Sequence, residues 1–186
     1  MRITLTSTST RPFLATIEKK LIVYQLLCAL ALAHHQHTPH GNIKSTNIFV
    51  TSSNWIFVTD FAPFKPTRLP FDDPSDFSFF YDTSGRRTCY LAPERFYKAD
   101  IELKAPLNDP VTKAMDVFST GCVIAEMFLE GAPLFSLSQL FKYRESEYSV
   151  DAQLAAIEDQ GIRVRLFPLC SPAPIFSAHD PTHDIP

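Results

Sequence analysis

The stretch "HGNIKSTNIFVTSSNWIFVTD", residues 40–60, decides how the chain is expected to fold. It opens with a polar loop and continues as two short runs of β-branched and aromatic residues, 47–50 and 55–60. The residues "TSSN" between these runs are typical of a turn, so the pattern predicts a β-hairpin. Asn42 in the loop and Asp60 at the end of the second run therefore lie across a hairpin, eighteen residues apart in sequence.

The segments on either side of this hairpin differ in character. A long helix is predicted before it, over residues 16–37, with Thr16 as its cap and Pro39 ending it. Apolar residues follow near-helical spacing in this helix at Ile17, Leu21, Tyr24, Cys28 and Leu32. After the hairpin, residues 62–88 contain four prolines and little periodicity, which predicts a long irregular segment of the kind that is usually functional.

Three more helices are predicted beyond the irregular segment. Residues 112–131 form an apolar helix stopped by Gly131, and the amphipathic runs 136–147 and 151–161 follow, the second closed by Gly161. From residue 162 the composition changes, because "LFPLCSPAPIFSAHDPTHDIP" has five prolines and no helical stripe. This pattern predicts a disordered tail or a read-through of unrelated coding sequence.

These elements predict one domain, residues 13–163, between a loose leader, 1–12, and a proline-rich disordered tail, 164–186. The chain has 186 residues, of which 45% are apolar and 20% charged, a globular mixture. Its net charge of −3 gives no reason to expect nucleic-acid binding. The four cysteines form no CxxC pair, so they are expected to be reduced thiols in a cytosolic protein.

Phosphoryl-transfer chemistry is indicated by an ordered set of short motifs. Residues 40–47 read H-x-N-x-K-x-x-N, followed by "DFA" at 60–62, "APE" at 92–94 and the apolar "DVFSTGCVIAE". Each motif alone is weak, but the ordered set is specific. It resembles the C-terminal lobe of a eukaryotic protein kinase, whose signatures are HRDxxxxN, DFG and APE.

The wider text resembles one branch of that superfamily over roughly residues 9–163. That branch is the kinase-like regulatory subunit of the class III phosphatidylinositol 3-kinase complex, of the vacuolar-protein-sorting type. The HG dipeptide, DFA in place of DFG, and "NWIFVTDFAPFKPT" are distinctive of it. The resemblance implies a mainly α (α+β) fold, a kinase-like C-terminal lobe with a small β-hairpin.

The resemblance also implies site roles and Mg-ATP as cofactor. Asp60 would hold one magnesium ion and Asn47 would help to hold the other, while Lys44 would reach the transferred phosphate. Asn42 stands at the position of the general base, where the family usually has aspartate. An amide is barely basic, and loss of a positioned base removes about 10²–10⁴ in rate.

Structural roles are implied for three further residues. His40 would pack as the histidine of the loop, the Asp116 carboxylate would accept N–H groups of residues 40–42, and Glu94 would be seated by closing helices. The only lysines before the loop, Lys19 and Lys20, lie on the first predicted helix and not on a strand. The N-terminal lobe, with its glycine-rich loop, is therefore expected to be missing, which puts ATP binding in doubt.

Simpler interpretations stay open beside these roles. Asp60 could cap a turn at a strand end, Asn47 could be a turn residue and Lys44 a solvated surface charge. Asp116 could be an ordinary helix N-cap. The histidines at 34, 35, 37 and 40 lack neighbouring thiols or carboxylates at ligand spacing, so a helix end is favoured over zinc.

Three functional hypotheses follow. The first is a catalytically impaired, serine/threonine-kinase-like scaffold that binds the class III lipid-kinase catalytic subunit and autophagy proteins. It would be cytoplasmic and peripheral on endosomal or vacuolar membranes through that complex. The second is an active ATP-dependent serine/threonine protein kinase that tolerates Asn42. The third is a truncated gene copy with no stable product.

Overall fold

The computed structural model describes the backbone of residues 2–4 and residues 14–62, 64–83, 85–98 and 109–170 in full. Helices dominate these ranges, and the strands are short. In chain order the elements are β1 (Arg2–Thr4), α1 (Thr16–His35), β2 (Ile48–Thr51), β3 (Ile56–Val58), β4 (Leu69–Pro70), α2 (Ser75–Phe80), β5 (Phe96–Tyr97), α3 (Lys113–Phe128), α4 (Leu137–Arg144), α5 (Asp151–Ala155) and α6 (Gln160–Cys170). The fold is the expected mainly α (α+β) arrangement.

A three-stranded antiparallel sheet carries the predicted hairpin. β2 and β3 pair with Ile48 opposite Val58, so the hairpin prediction is confirmed. β1 adds to the free edge of β2, with Ile3 opposite Val50. Residues 2–4, within the predicted leader 1–12, therefore form a strand. The other residues of that leader, 1 and 5–12, lie outside the described residues.

Helix α1 buries a different face from the one that its sequence pattern suggested. Its buried face carries Ile22, Leu26 and Leu30, whereas the stripe that begins with Ile17 and Leu21 is exposed. The helix is apolar on both faces, so periodicity could not select the inner one. The cap also differs from the prediction. The N-cap residue is Ala15, whose N–H donates to the Glu18 carboxylate at 2.8 Å, and Thr16 is the first helical residue.

Helix α3 forms the centre of the helical part. It follows the N-cap Thr112, whose hydroxyl accepts a hydrogen bond from the Met115 N–H at 3.4 Å. Gly131 lies beyond its end with φ of +87° and donates to the Glu126 carbonyl at 2.8 Å, which agrees with the predicted stop. The helix is buried along nearly its whole length, so it anchors the elements around it.

The C-terminal helix α6 corrects two expectations. Gly161 does not close a helix, because it lies in the first turn of α6, where the Asp159 carboxylate accepts from the Ile162 N–H at 3.0 Å. Ordered structure also continues past the predicted boundary at 163, since α6 ends at Cys170. Its buried residues Ile162, Leu166 and Cys170 recur every fourth position, and α6 packs against α3. The remainder of the predicted tail, 171–186, lies outside the described residues.

The irregular segment is anchored to the core by its aromatic part. α2 lies within it, and Phe77 and Tyr81 are buried, although Phe79 is exposed. β4 pairs in parallel with β5, Leu69 opposite Phe96. Several buried residues of the segment, among them Leu69, Phe77 and Tyr81, therefore belong to the core. None of the helices described is long and apolar enough to cross a membrane.

Candidate functional site

Buried backbone contacts fix the loop that begins at His40. The Asp116 carboxylate, at the start of α3, accepts hydrogen bonds from the His40 N–H at 2.7 Å and the Gly41 N–H at 2.9 Å. Asp116 therefore makes the loop contacts that the kinase resemblance implies, while the N-cap position belongs to Thr112. Gly41 has φ of +74°, and a Cβ there would lie 3.1 Å from Val111, so glycine suits this turn.

The predicted site residues meet at one carboxylate oxygen. Asp60 Oδ2 accepts hydrogen bonds from Asn42 Nδ2 at 2.5 Å and from Asn47 Nδ2 at 3.1 Å. Because a carboxylate only accepts, both amides must turn their nitrogen toward it. Asp60 has φ of +63°, a strained conformation for a residue other than glycine, and such strain is typical of functional sites. The Asp60 side chain accepts these two hydrogen bonds from asparagine side chains and not from the backbone of a turn.

A cation missed by the sequence interpretation completes this group. Lys65 Nζ forms an ion pair with Asp60 Oδ2 at 3.5 Å and lies 5.3 Å from the centre of the Tyr81 ring. Its side chain is only 11% exposed. We call Asn42, Lys44, Asn47, Asp60 and Lys65 the Asp60 cluster. The sequence signal for Lys65 was its place in the "FKPT" that follows DFA, but the kinase signatures assign that position no role.

Lys44 belongs to the Asp60 cluster, but its hydrogen bond goes to a backbone carbonyl. Its Nζ donates to the Tyr81 carbonyl at 3.2 Å. Burial lowers the pKa of Lys44, and repulsion by Lys65 lowers it further, against the attraction of Asp60 and Asp82. Lys44 is thus a half-buried ammonium near a second one, not a solvated surface charge.

The oxygen atoms of the Asp60 cluster fit a hard divalent cation only in part. Asp60 Oδ1 has no hydrogen-bond partner among the described residues, and the Asn47 side-chain oxygen is a second hard ligand. No group of three or more histidine, cysteine or acidic side chains that could hold a metal occurs in the described part of the chain. A cation would therefore rely on these two residues together with ligand phosphates and water.

His40 packs beneath the loop as a neutral ring. Its Nδ1 accepts the Asn42 N–H at 3.2 Å, and the ring lies 4.2 Å from that of Phe61. Burial lowers the pKa of His40, and this effect exceeds the opposing attraction of Asp116. Another histidine of the predicted cluster, His34, lies at the end of α1 and contacts Asp116 Oδ2 through Nε2 at 2.9 Å.

Glu94 lies apart from the Asp60 cluster. Among the described residues, no hydrogen bond or ion pair holds its carboxylate, while its carbonyl accepts from Arg68 at 3.2 Å. The neighbouring Arg95 has the structural role instead. Arg95 is buried, and its guanidinium donates to the carbonyls of Thr67 at 2.9 Å, Gly41 at 2.9 Å and Pro66 at 3.0 Å, and to the Tyr81 hydroxyl.

A buried line of polar groups joins the loop to α3. Tyr90 OH donates to Glu126 Oε2 at 2.8 Å and lies 2.8 Å from the Ser45 hydroxyl. Burial raises the pKa of Glu126, against the lowering effect of its hydrogen bonds. The same desolvation raises the pKa of Tyr90. Sequence inspection did not identify this line, because its members are far apart along the chain.

The Asp60 cluster has an amide, Asn42, at the position that the kinase resemblance assigns to the general base. The amide of Asn42 is a donor to Asp60, and the Asp60 carboxylate is engaged by donors on Oδ2. Lys44 is affected by the ammonium of Lys65 and by the carboxylates of Asp60 and Asp82, so the site offers both positive and negative groups to a ligand.

Comparison with known proteins agrees with this geometry. The profile of the family "Protein kinase domain" matches residues 4–162. Among similar proteins is the "Serine/threonine-protein kinase VPS15" of Arabidopsis thaliana, 53% identical over 155 residues, which are 83% of this chain and 10% of the relative. The protein of the same name from Saccharomyces cerevisiae is 54% identical over 146 residues, 78% of this chain and 10% of the relative.

A third relative, the "Serine/threonine-protein kinase vps15" of Schizosaccharomyces pombe, is 51% identical over 153 residues, 82% of this chain and 9% of the relative. The chain thus spans about a tenth of the length of these relatives. The match to the family profile covers the loop, the hairpin, the Asp60 cluster and α3. The chain belongs to the protein kinase family, and its relatives at 51–54% identity are VPS15 serine/threonine-protein kinases.

Proposed function

We propose that this chain is a serine/threonine-kinase-like module with impaired phosphoryl transfer, whose main role is regulatory. The observation that carries the proposal is the amide of Asn42, which donates to Asp60 where a kinase needs a proton acceptor. Removal of a positioned general base typically lowers the rate by about 10²–10⁴. Asn42 can still orient a hydroxyl, so a weak residual transfer is compatible with this role.

Mg-ATP is the proposed ligand of the Asp60 cluster. Asp60 and Asn47 would hold the cation, which, when bound, neutralises the phosphate charge that spreads during transfer. Lys44 would place its positive charge near the terminal phosphate. Its hydrogen bond to the Tyr81 carbonyl holds it at the site. His40, Asp116 and Arg95 position the loop and do not contact the ligand in this proposal.

The proposed setting is the class III phosphatidylinositol 3-kinase complex. Similarity to VPS15 proteins at 51–54% identity supports a chain of this type, and the resemblance adds the lipid-kinase catalytic subunit and autophagy proteins as partners. The chain would be cytoplasmic and peripheral on endosomal or vacuolar membranes through the complex. Its contribution to sorting and autophagy would be that of a scaffold.

Restoring the missing carboxylate tests the catalytic part of the proposal. Asn42→Asp is expected to raise phosphate transfer from labelled ATP to a serine/threonine peptide by about 10²–10⁴. The double variant Asn42→Asp/Asp60→Asn controls for contaminating kinases, because it keeps the new base and loses the cation ligand. A wild-type rate equal to that of Asn42→Asp contradicts impairment and favours the active-kinase hypothesis.

Co-purification tests the scaffold part. The chain, expressed with the lipid-kinase catalytic subunit, is expected to be recovered with it by affinity purification at physiological salt. Asn42→Asp is expected to be recovered equally, since its position is buried and away from any outer surface. Failure to recover the lipid kinase with either chain contradicts the proposed partnership and leaves the catalytic test unaffected.

A further inference from the structure

The Asp60 cluster already contains a cation at the place where a kinase-like lobe is expected to take one from solution. Lys65 Nζ lies 3.5 Å from Asp60 Oδ2, the oxygen that also accepts both amide nitrogens. Asn47 Nδ2 additionally donates to the Asn42 carbonyl at 2.9 Å. Asn47 Nδ2 is therefore shared between the loop carbonyl and the Asp60 carboxylate.

Lys65 is held in place and is not a mobile surface charge. Its N–H donates to the Ala62 carbonyl at 3.3 Å, and Ala62 in turn donates to His40 at 2.9 Å. The next residue, Pro66, offers its carbonyl to the Tyr81 hydroxyl at 2.8 Å and to Arg95 at 3.0 Å. The backbone on both sides of Lys65 is thus tied to neighbouring segments, and its side chain, only 11% exposed, places Nζ 3.5 Å from Asp60 Oδ2 and 5.3 Å from the centre of the Tyr81 ring.

Electrostatics favours one cation at this carboxylate over two. An ammonium about 4 Å from a divalent ion repels it strongly in a partly buried site, because the dielectric constant there is lower than in water and the two positive charges are less screened. A phosphate group is negatively charged, so the same ammonium attracts it. Lys65 is close enough to Lys44 for its charge to contribute to the lowered pKa of Lys44, after the larger effect of burial.

We propose that Lys65 is a built-in counter-cation for Asp60, which lets this site bind the phosphates of a nucleoside polyphosphate without a divalent metal. The inference rests on the proposed function, because it concerns the same ligand, but it reverses the usual metal requirement. No covalent step is involved. Lys65 is a specificity-determining residue here, since its charge makes binding of the phosphates independent of a divalent metal.

Thermal unfolding of the 186-residue chain with ATP tests the inference. A ligand that binds the native state raises the unfolding temperature. Wild type is expected to be stabilised equally by ATP in EDTA and by ATP in excess Mg²⁺ at matched ionic strength. Lys65→Met keeps most of the length of the unbranched side chain and removes the charge. It is expected to lose roughly ten- to a hundredfold in affinity for ATP in EDTA and to gain a dependence on Mg²⁺.

Lys142→Met is the matched control, because Lys142 is exposed and far along the chain from the Asp60 cluster. It is expected to behave as wild type in both solutions. Stabilisation of the wild type only when Mg²⁺ is present overturns the inference. An equal response of wild type and Lys65→Met in EDTA also overturns it.

Absence of stabilisation by ATP in both solutions contradicts both the metal-free binding inferred here and the Mg-ATP ligand of the proposed function. A second measurement, which does not depend on ATP, tests whether Lys65 competes with a divalent cation at Asp60. Mn²⁺ replaces Mg²⁺ and is followed by the paramagnetic resonance signal of the free ion. Lys65→Met is expected to bind Mn²⁺ roughly ten- to a hundredfold more tightly than wild type, because the competing ammonium is gone.

Lys65→Met/Asp60→Asn is expected to lose this gain, since the carboxylate ligand is removed. Equal Mn²⁺ affinity of wild type and Lys65→Met overturns the inference. Asp60→Asn alone provides an independent test if Lys65→Met does not fold. It frees Lys65 from its partner, so it is expected to bind ATP in EDTA at least as tightly as wild type, and a loss of that binding overturns the inference.

Discussion

At the scale of single residues, Arg95 shows how a buried charge is kept without a carboxylate. Its guanidinium is 2% exposed and donates to three carbonyl groups and one hydroxyl, and it lies 4.8 Å from the Tyr81 ring. The planar fork of arginine can serve several acceptors at fixed angles, which lysine cannot do. Through Gly41 and Pro66, Arg95 joins the loop to the segment that carries Lys65.

Arg95→Met is expected to lower the free energy of unfolding by roughly 3–5 kcal/mol, because it leaves several buried carbonyls without donors. Arg95→Lys is expected to recover only part of this, since one ammonium cannot reach all four acceptors. The measurement is the urea midpoint at constant slope. Arg165→Met, at an exposed position, is the control and is expected to change little. An Arg95→Met chain as stable as the control contradicts the assigned role.

Glu126 makes stability depend on pH in a defined direction. Burial raises the pKa of its carboxyl above the ordinary value of 4.5, so the folded chain holds this proton at pH values where the unfolded chain releases it. The free energy of unfolding therefore falls as pH rises from about 4.5 through the folded-state pKa and is constant above it.

Glu126→Gln is expected to flatten that part of the pH profile and to stabilise the chain at neutral pH. A glutamine oxygen can still accept the Tyr90 hydroxyl, and no charge has to be buried. Thermal unfolding between pH 4 and pH 8 measures the effect, with the exposed Glu158→Gln as control. Parallel profiles of wild type and Glu126→Gln contradict the direction given for the Glu126 pKa.

The sequence predicted those residues of the Asp60 cluster whose relative positions are determined by short spacing along the chain. Asn42, Asn47 and Asp60 are joined by one loop and one hairpin, so a local pattern implies their proximity. Arg95 escaped prediction because its role depends on tertiary contacts, such as that with Gly41, 54 residues away. Lys65 was missed although it lies only five residues after Asp60, because the kinase signatures assign its position no role. Glu94 was favoured over Arg95 because it belongs to the APE motif.

At the scale of elements, α6 shows what composition concealed. Pro168 and the neighbouring prolines suggested an irregular tail, yet Ile162, Leu166 and Cys170 form a buried stripe at four-residue spacing. The stripe packs against α3 at Gly121, where an added Cβ would lie 3.1 Å from Cys170 Sγ. β1 was missed for a related reason, because its strand partner β2 lies more than forty residues away in sequence.

Leu166→Ala is expected to destabilise the chain by about 2–5 kcal/mol, since it opens a cavity between α6 and α3. Val164→Ala on the same helix is the matched control, because Val164 is 62% exposed and its truncation is expected to cost less than about 0.5 kcal/mol. Chemical denaturation measures both. Equal effects of the two substitutions contradict the packing of α6 as part of the domain.

At the scale of the whole molecule, Asp116 connects the helical core to the site. It lies in the first turns of α3 and is 1% exposed, and its two oxygens contact His34 at the end of α1 and the N–H groups of His40 and Gly41. Three elements therefore depend on one buried carboxylate. The position of the loop, and with it the Asp60 cluster, is determined by α3 although no residue of α3 belongs to the cluster.

Asp116→Asn is expected to separate these effects, because an amide keeps one acceptor oxygen and presents a donor where two backbone donors already converge. The free energy of unfolding is expected to fall by about 2–4 kcal/mol, and hydrogen exchange of the His40 and Gly41 amides to accelerate more than that of amides within α3. Asp72→Asn, at an exposed position, is the matched control and is expected to leave both measurements unchanged. If exchange accelerates equally in the loop and in α3, the carboxylate stabilises the core alone and does not hold the loop. A selective loss of protection in the loop, with ATP affinity falling in parallel, means that the core of this kinase-like lobe positions its phosphate site through a single buried group.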